Sequence, residues 1–177
     1  MIAGIDYSMT CPAITVGPST DFHKCKTFFY TDKTKYARSV NNIHGMMAIA
    51  YESEMERFDN LSEWAMTILK KFGVKQVCLE GYSMGSKGKV FNIAENGGLL
   101  KYKMWKAGID FVTPPPTTVK KVFAGSGSAK KEDMHTAFVD KTGVDVAKLL
   151  DKSAGASPVS DVVDSYAMLH YYLTQGA

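Results

Sequence analysis

Four carboxylates stand where the local pattern asks for something else. Asp6 closes the apolar run Ile2-Ala3-Gly4-Ile5, and Glu80 closes Val77-Cys78-Leu79. Asp161 and Asp164 sit three residues apart in Asp161-Val162-Val163-Asp164, a spacing that puts both on one helical face. Each feature alone has a plain explanation. An acid after a strand is often a turn residue, and acids in a helix's first turn complement its dipole by about 0.3–1 kcal/mol. Together they allow more. Two strand ends lying side by side, met by the first turn of a helix, would bring four carboxylates together. Without a counter-ion they would repel, and some would be forced to hold protons. Hard divalent cations bind such oxygen clusters, and Mg²⁺ takes one or two carboxylates plus substrate phosphates. Two such ions about 3.5–4 Å apart can activate a water and stabilise the leaving oxygen of a phosphodiester. His23, His44, His135 and His170 are scattered and form no rival ligand set.

Lysine placement points the same way. The formal charge is only +3, but Lys70 to Lys131 holds twelve lysines against Glu80, Glu95 and Asp110, a net of +9. The rest of the chain is net −6. A basic stretch within an acidic protein fits a polyanion partner, and it also fits a lysine-decorated soluble surface. Nineteen of the 21 basic residues are lysines, the exceptions being Arg38 and Arg57. Lysine acts on phosphate as a mobile point charge, whereas arginine forks read guanine edges. The composition therefore predicts recognition of backbone and shape, with steep salt dependence.

The elements that must position these groups follow from periodicity and turn residues. Ile2 to Asp6, Ala13 to Val16 and Thr27 to Tyr30 are predicted strands, the latter two separated by Gly17-Pro18-Ser19. Thr31 to Tyr51 reads as loop followed by some helix. Glu54 to Phe72 is a helix, with Phe58, Leu61, Ala65, Ile68 and Phe72 on one stripe and Gly73 as its stop. Lys75 to Glu80 is a strand, and Gly81 to Lys89 a loop rich in Gly, Ser and Lys. Phe91 to Lys106 is a helix, Ile109 to Val112 a strand, Thr117 to Phe123 and Lys130 to Lys141 helices, and Ser160 to Leu173 the last helix. Three early strands on short turns form an antiparallel meander, and later strands alternating with helices form parallel crossovers. The expected fold is α/β: a mixed sheet with helices on both faces, residues 1–177 forming one domain.

The 177 residues suffice for one domain with a real core, and 45% apolar with 22% charged residues excludes disordered and collagen-like classes. No apolar run reaches the roughly 20 residues of a membrane span. The first acid comes too early for a signal peptide. Cys11, Cys25 and Cys78 are odd in number and follow no metal spacing, as free thiols in a reducing cytoplasm would be. Cys78, two residues before Glu80, reads as a small core residue rather than a nucleophile.

With these residues in hand, the chain resembles the RuvC family of Holliday junction resolvases within the RNase H-like superfamily. Gly4-Ile5-Asp6 resembles the family's first strand and first acid. Cys78-Leu79-Glu80-Gly81-Tyr82, with Lys87, Asn92, Ala94 and Gly97-Gly98, resembles its second acid, loop and helix. Thr118 to Lys131 resembles its V-K-x-x-x-x-G-x-G-x-A-x-K segment, and Ser160 to Ala167 its closing D-x-x-D-A helix. The stretch 11–76 matches only in element order. The resemblance implies an RNase H-like sheet of five strands, three antiparallel and then parallel. It implies a homodimeric endonuclease dependent on two Mg²⁺ ions per site, with Mn²⁺ as a substitute, that makes paired nicks at a four-way DNA junction. Asp6, Glu80, Asp161 and Asp164 would be catalytic metal ligands. Lys120 and Lys131 match lysines that contact phosphate near the scissile bond, and Lys87, Lys89, Lys121 and Lys130 join them as DNA-binding candidates.

One departure concerns the aromatic residue that stacks on a junction base. The family's usual position holds Ser83, which leaves Tyr82 or Phe91 for that role. Other readings remain open at this point: an RNase H-like nuclease for RNA–DNA hybrids or other branched DNA, or a non-catalytic junction-binding module. An actin-like ATPase half also opens on Gly-Ile-Asp, but this length leaves no room for its second lobe. A branch-migration helicase is a partner of some members of that family, and a virus that debranches its DNA before packaging is an equal source of such a chain. The resemblance puts it in a prokaryotic or virus-infected prokaryotic cytoplasm. The sequence encodes no recognisable docking site for a helicase or for viral packaging machinery.

Overall fold

The computed structural model describes residues 1–81 and 90–176. The chain runs β1 (Ile2–Asp6), β2 (Ala13–Gly17), β3 (Lys26–Thr31), β4 (Ser39–Val40), β5 (Ile43–Met47), α1 (Glu54–Lys71), β6 (Gln76–Leu79), α2 (Val90–Lys106), β7 (Asp110–Val112), α3 (Pro116–Ala124), α4 (Lys131–Thr142), α5 (Val146–Leu150) and α6 (Val159–Gln175). The strands form one sheet in the order β4-β5-β3-β2-β1-β6-β7. β1, β2 and β3 pair antiparallel, and β6 and β7 add in parallel beyond β1, as the meander-and-crossover reading requires.

The sheet has seven strands rather than five, and the difference lies mainly in residues 31–51. That stretch is no loop-plus-helix. Asn41 adopts a left-handed φ of 54°, closing the tight turn between β4 and β5. β5 then pairs in parallel with β3. A Cβ at Gly45 would run into the Tyr36 carbonyl, so the preceding turn packs directly on this strand. The short α5 is a second addition, capped by the Asp145 carboxylate accepting Lys148 N at 3.0 Å.

Both faces are covered. Alternation along β1 sends Ala3 and Ile5 to one core with Trp64, Leu69, Leu100 and Met104 of α1 and α2. The opposite core lies under α3 to α6, where Tyr166 meets Phe22, Phe123 and Phe138 edge-on at 5.2–5.9 Å between centroids. Such pairs add about 0.5–1.5 kcal/mol each beyond their burial. Cys78 lies fully buried in this second core, as its position in β6 predicts.

Candidate active site

Strand register brings the first two acids together. Ile5 and Leu79 are partners in the parallel β1–β6 pair, and Glu80 N donates to the Ile5 carbonyl at 3.0 Å. Asp6 and Glu80 thus end neighbouring central strands. Asp6 points to the same face as Gly4, the face covered by α6. A Cβ at Gly4 would meet the backbone of Leu169 and Ser165, so glycine lets α6 lie directly on β1. The helix is also pinned through hydroxyls: Thr15 Oγ1 lies 2.8 Å from Ser165 Oγ and 2.9 Å from Thr27 Oγ1. Its first turns therefore carry Asp161 and Asp164 to the strand ends.

Electrostatics report the result. Burial raises the Asp6 carboxyl well above its ordinary range, and the charges of Glu80, Asp161 and Asp164 raise it further. Burial, then Glu80 and Asp161, push Asp164 up to about 7. Glu80 and Asp161 are raised too, chiefly by burial. Lys131 opposes the shift at all four acids, and Lys120 at Glu80 and Asp164. Lys120 lies on α3 and Lys131 opens α4, on either side of a turn at Gly125 with a φ of 81°. Lys131 Nζ donates to Ser160 Oγ at 3.2 Å, which aims it at the head of α6.

The four acids thus form one negative cluster, Asp6 and Asp161 buried and Glu80 and Asp164 half-buried, with cations at its rim. Asp161 Oδ2 is buried without a hydrogen-bond partner. Among the described residues, no three His, Cys, Asp or Glu side chains are closed up tightly enough to hold a metal ion as they stand. The donors fit a hard cation in chemistry: all are carboxylates, three of them destabilised by neighbouring carboxylate charge, and one oxygen of Asp161 is orphaned.

Not every candidate joins the cluster. Lys121 and Lys130 are exposed nearby and are not among the chief causes of the carboxylates' shifts. Lys130 N instead donates to Asp133 at the start of α4. Tyr82, Lys87 and Lys89 lie outside the described residues. Phe91 stands 79% exposed on α2. The basic stretch is not a single surface. Lys103 bridges α2 to Asp59 and Glu63 of α1 at 2.7 and 2.6 Å. Lys75 lies at the opposite end of β6 from Glu80. Two residues escaped sequence reasoning: the Ser157 hydroxyl and the Cys11 thiol lie close enough to Asp161 to favour its charged form. Neither belongs to a periodic or acidic pattern.

Comparison with known proteins adds the family. Residues 31–166 match "Crossover junction endodeoxyribonuclease RuvC"; Asp6 precedes the matched span. No curated protein sequence matches the chain. Among solved structures, Thermus thermophilus RuvC is similar with a TM-score of 0.62 at 17% identity, over 99% of this chain and 96% of that one. T. thermophilus RuvC in complex with Holliday junction substrate gives 0.66 at 17% identity, over 99% and 95%. The yeast mitochondrial Holliday junction resolvase Ydc2 gives 0.51 at 14% identity, over 98% and 82%. At these identities the structures establish the fold. The family match, spanning about three quarters of the sequence, places the chain in the crossover junction endodeoxyribonuclease RuvC family.

Proposed function

We propose that this endonuclease cuts four-way DNA junctions at the site formed by Asp6, Glu80, Asp161 and Asp164, with two Mg²⁺ ions, or Mn²⁺, held by those carboxylates. The observation that carries the reading is the convergence of four acids from three separate segments, where neighbouring carboxylate charge raises Asp6, Glu80 and Asp164 and Lys120 and Lys131 oppose it. When bound, divalent ions supply Lewis acidity to a phosphodiester oxygen and make a neighbouring water easier to deprotonate. The chain's own contribution is positioning. Strand ends and α6 fix the oxygen donors, and Asp6 and Glu80 open onto a cavity of about 260 Å³. Lys131, oriented by Ser160, and Lys120 bind the phosphate that faces the cluster. Lys121, Lys130, Lys87 and Lys89 extend the DNA surface, with Tyr82 or Phe91 as the stacking aromatic. Residues 1–177 act as one nuclease domain. Among the described residues no helix is long and apolar enough to cross a membrane.

A homodimer suits a two-fold junction, because an isologous pair presents two identical sites. The outer face of α2 supports it. Tyr102 and Trp105 are 54% and 70% exposed, and helical spacing puts them with Gly98 on one stripe. A Cβ at Gly98 would meet nothing.

The test is a cleavage panel of four-way junction, flap, Y-form and RNA–DNA hybrid, each with Mg²⁺, Mn²⁺ or chelator. The four-way junction should be cut preferentially and only with metal. Asp6→Asn should lose about a thousandfold or more in rate, since metal stabilisation of the reacting oxygens amounts to several kcal/mol. It should still bind the junction in a gel-shift assay. Normal nicking by Asp6→Asn would overturn the site, and preferred cutting of the hybrid would overturn the substrate.

A further inference from the structure

A cavity of about 420 Å³ lies one side chain away from the carboxylates. Cys11 and Ser157, which favour the charged form of Asp161, line it on that side. Opposite them, the segment after β5 puts Ile49 and Tyr51 in its lining, 64% and 46% exposed. Buried Tyr30 and Tyr36 also line it. The Tyr30 hydroxyl accepts Ile49 N at 2.7 Å, tying this segment to the sheet. Metal binding and phosphate contact make no use of the cavity.

The lining selects a ligand chemistry. The Arg57 guanidinium sits 5.2 Å from the Tyr51 ring centroid and braces it. Arg57 is itself committed, donating to the Met9 carbonyl at 2.7 Å and pairing with Glu54 at 3.5 Å. Lys33 and Asp32 line the cavity with opposite charges. The net field is therefore weak, which suits neither free phosphate nor an acidic peptide. What fits is a flat, uncharged ring with a polar edge. Asn60, also in the lining, has its Nδ2 buried without a partner. Half a turn of the amide exchanges that nitrogen for the oxygen, so the wall can offer either donor or acceptor. An uncharged heteroaromatic ring beside a phosphodiester-cutting site is a nucleobase, and unpaired bases at a branch leave the stack at least cost.

We infer that this cavity takes one unstacked nucleobase of the junction strand passing Asp161, stacked on Tyr51 and read at its edge by Asn60; the inference rests on the resolvase reading above and deepens it. The cavity is then the source of any preference for sequence around the cut.

The experiment uses the whole chain, Mg²⁺ and four-way junctions carrying a single abasic nucleotide at each of the first few positions on either side of the cut. One position, on one side, should slow cleavage about tenfold or more in a way that depends on Tyr51, as loss of base–aromatic stacking does; any second sensitive position, at the base stacked by Tyr82 or Phe91, should stay sensitive in Tyr51→Ala. Tyr51→Ala should slow cleavage of the intact junction by a similar factor and become indifferent to that abasic nucleotide. Tyr51→Phe, which keeps the ring, should behave as wild type. Tyr51 is half exposed, so an unchanged melting temperature is expected for both variants. Equal cutting of every abasic junction by wild type, or a Tyr51→Ala enzyme as sensitive as wild type at every abasic position, would overturn the inference alone. Failure to cut any junction would overturn the resolvase reading and this inference with it.

Discussion

The two faces of the sheet are held by different forces, and they do different work. On one face, α6 lies backbone-on-backbone against β1 at Gly4 and is tied by the Thr15–Ser165 hydroxyl contact. Aromatic edges around Tyr166 fill the space behind it. Nothing there can shift without moving Asp161 and Asp164. On the other face, α1 and α2 rest on interdigitated apolar side chains and share an exposed ion-pair cluster at Lys103. α2 also keeps large aromatic side chains in water. The close-packed face supplies precision to four charges that repel one another, and the looser face supplies a surface.

Gly4→Ala is the strongest way to break that contrast. The new methyl would meet main-chain atoms of α6 rather than the end of a flexible side chain. The expected cost is about 3 kcal/mol or more, at the upper end for overpacking, read by denaturant melts. Cleavage should fall with it, because the carboxylates of α6 would be displaced. A variant of wild-type stability would show that α6 is not seated as described.

The carboxylate cluster gives the next effect. Burial and its neighbours push Asp164 up to about 7 in the metal-free fold, against an ordinary 3.8. A raised folded value means the folded state favours the proton. The contribution to stability is therefore fully present below the unfolded value and is lost as pH rises through the folded one. In chelator, wild type should lose stability between pH 4 and pH 7, with a few kcal/mol at stake. Asp164→Asn should flatten that slope, and added Mg²⁺ should restore wild type at neutral pH. Parallel slopes in the two proteins would separate Asp164 from the coupled cluster.

Much of the close-packed face was legible in the sequence. Asp6 and Glu80 stand out because each ends an apolar run, and Asp161 and Asp164 because a three-residue step puts them on one side of a helix. Less of the remainder was legible, for specific reasons. The β4–β5 hairpin hides in Ile43-His44-Gly45-Met46-Met47, which alternates neither as a half-buried strand nor as a helix; Asn41-Asn42 was its one usable turn signal. α5 is too short for a period to emerge. Cys11 and Ser157 are far apart in sequence and converge only through the fold. Lys103 misleads because charge adjacent along the chain need not be adjacent in space.

The exposed face of α2 offers a smaller test. Trp105→Lys should leave the isolated fold intact, since the ring is 70% exposed. It should weaken the proposed homodimer by about 2 kcal/mol or more, the usual scale for a central aromatic anchor. Sedimentation of wild type and variant across a concentration series reads this directly. A monomeric wild type at micromolar concentration would leave α2 without a self-partner.

The smallest effect separates structural from DNA-facing lysines. Lys103 is only 19% exposed at its side chain, yet Asp59 and Glu63 are 64% and 58% exposed, so solvent screens the pairs. Lys103→Ala should therefore cost no more than about 1 kcal/mol. Its junction affinity and the salt dependence of binding should match wild type, because its ammonium already has two carboxylates. Lys120→Ala should do the reverse, leaving the melt alone while lowering affinity and making the salt slope shallower by roughly one phosphate contact. If Lys103→Ala instead flattened the salt slope, DNA would have to reach the α1–α2 face. The division of labour between the two faces would then fail at the residue where it is most sharply drawn.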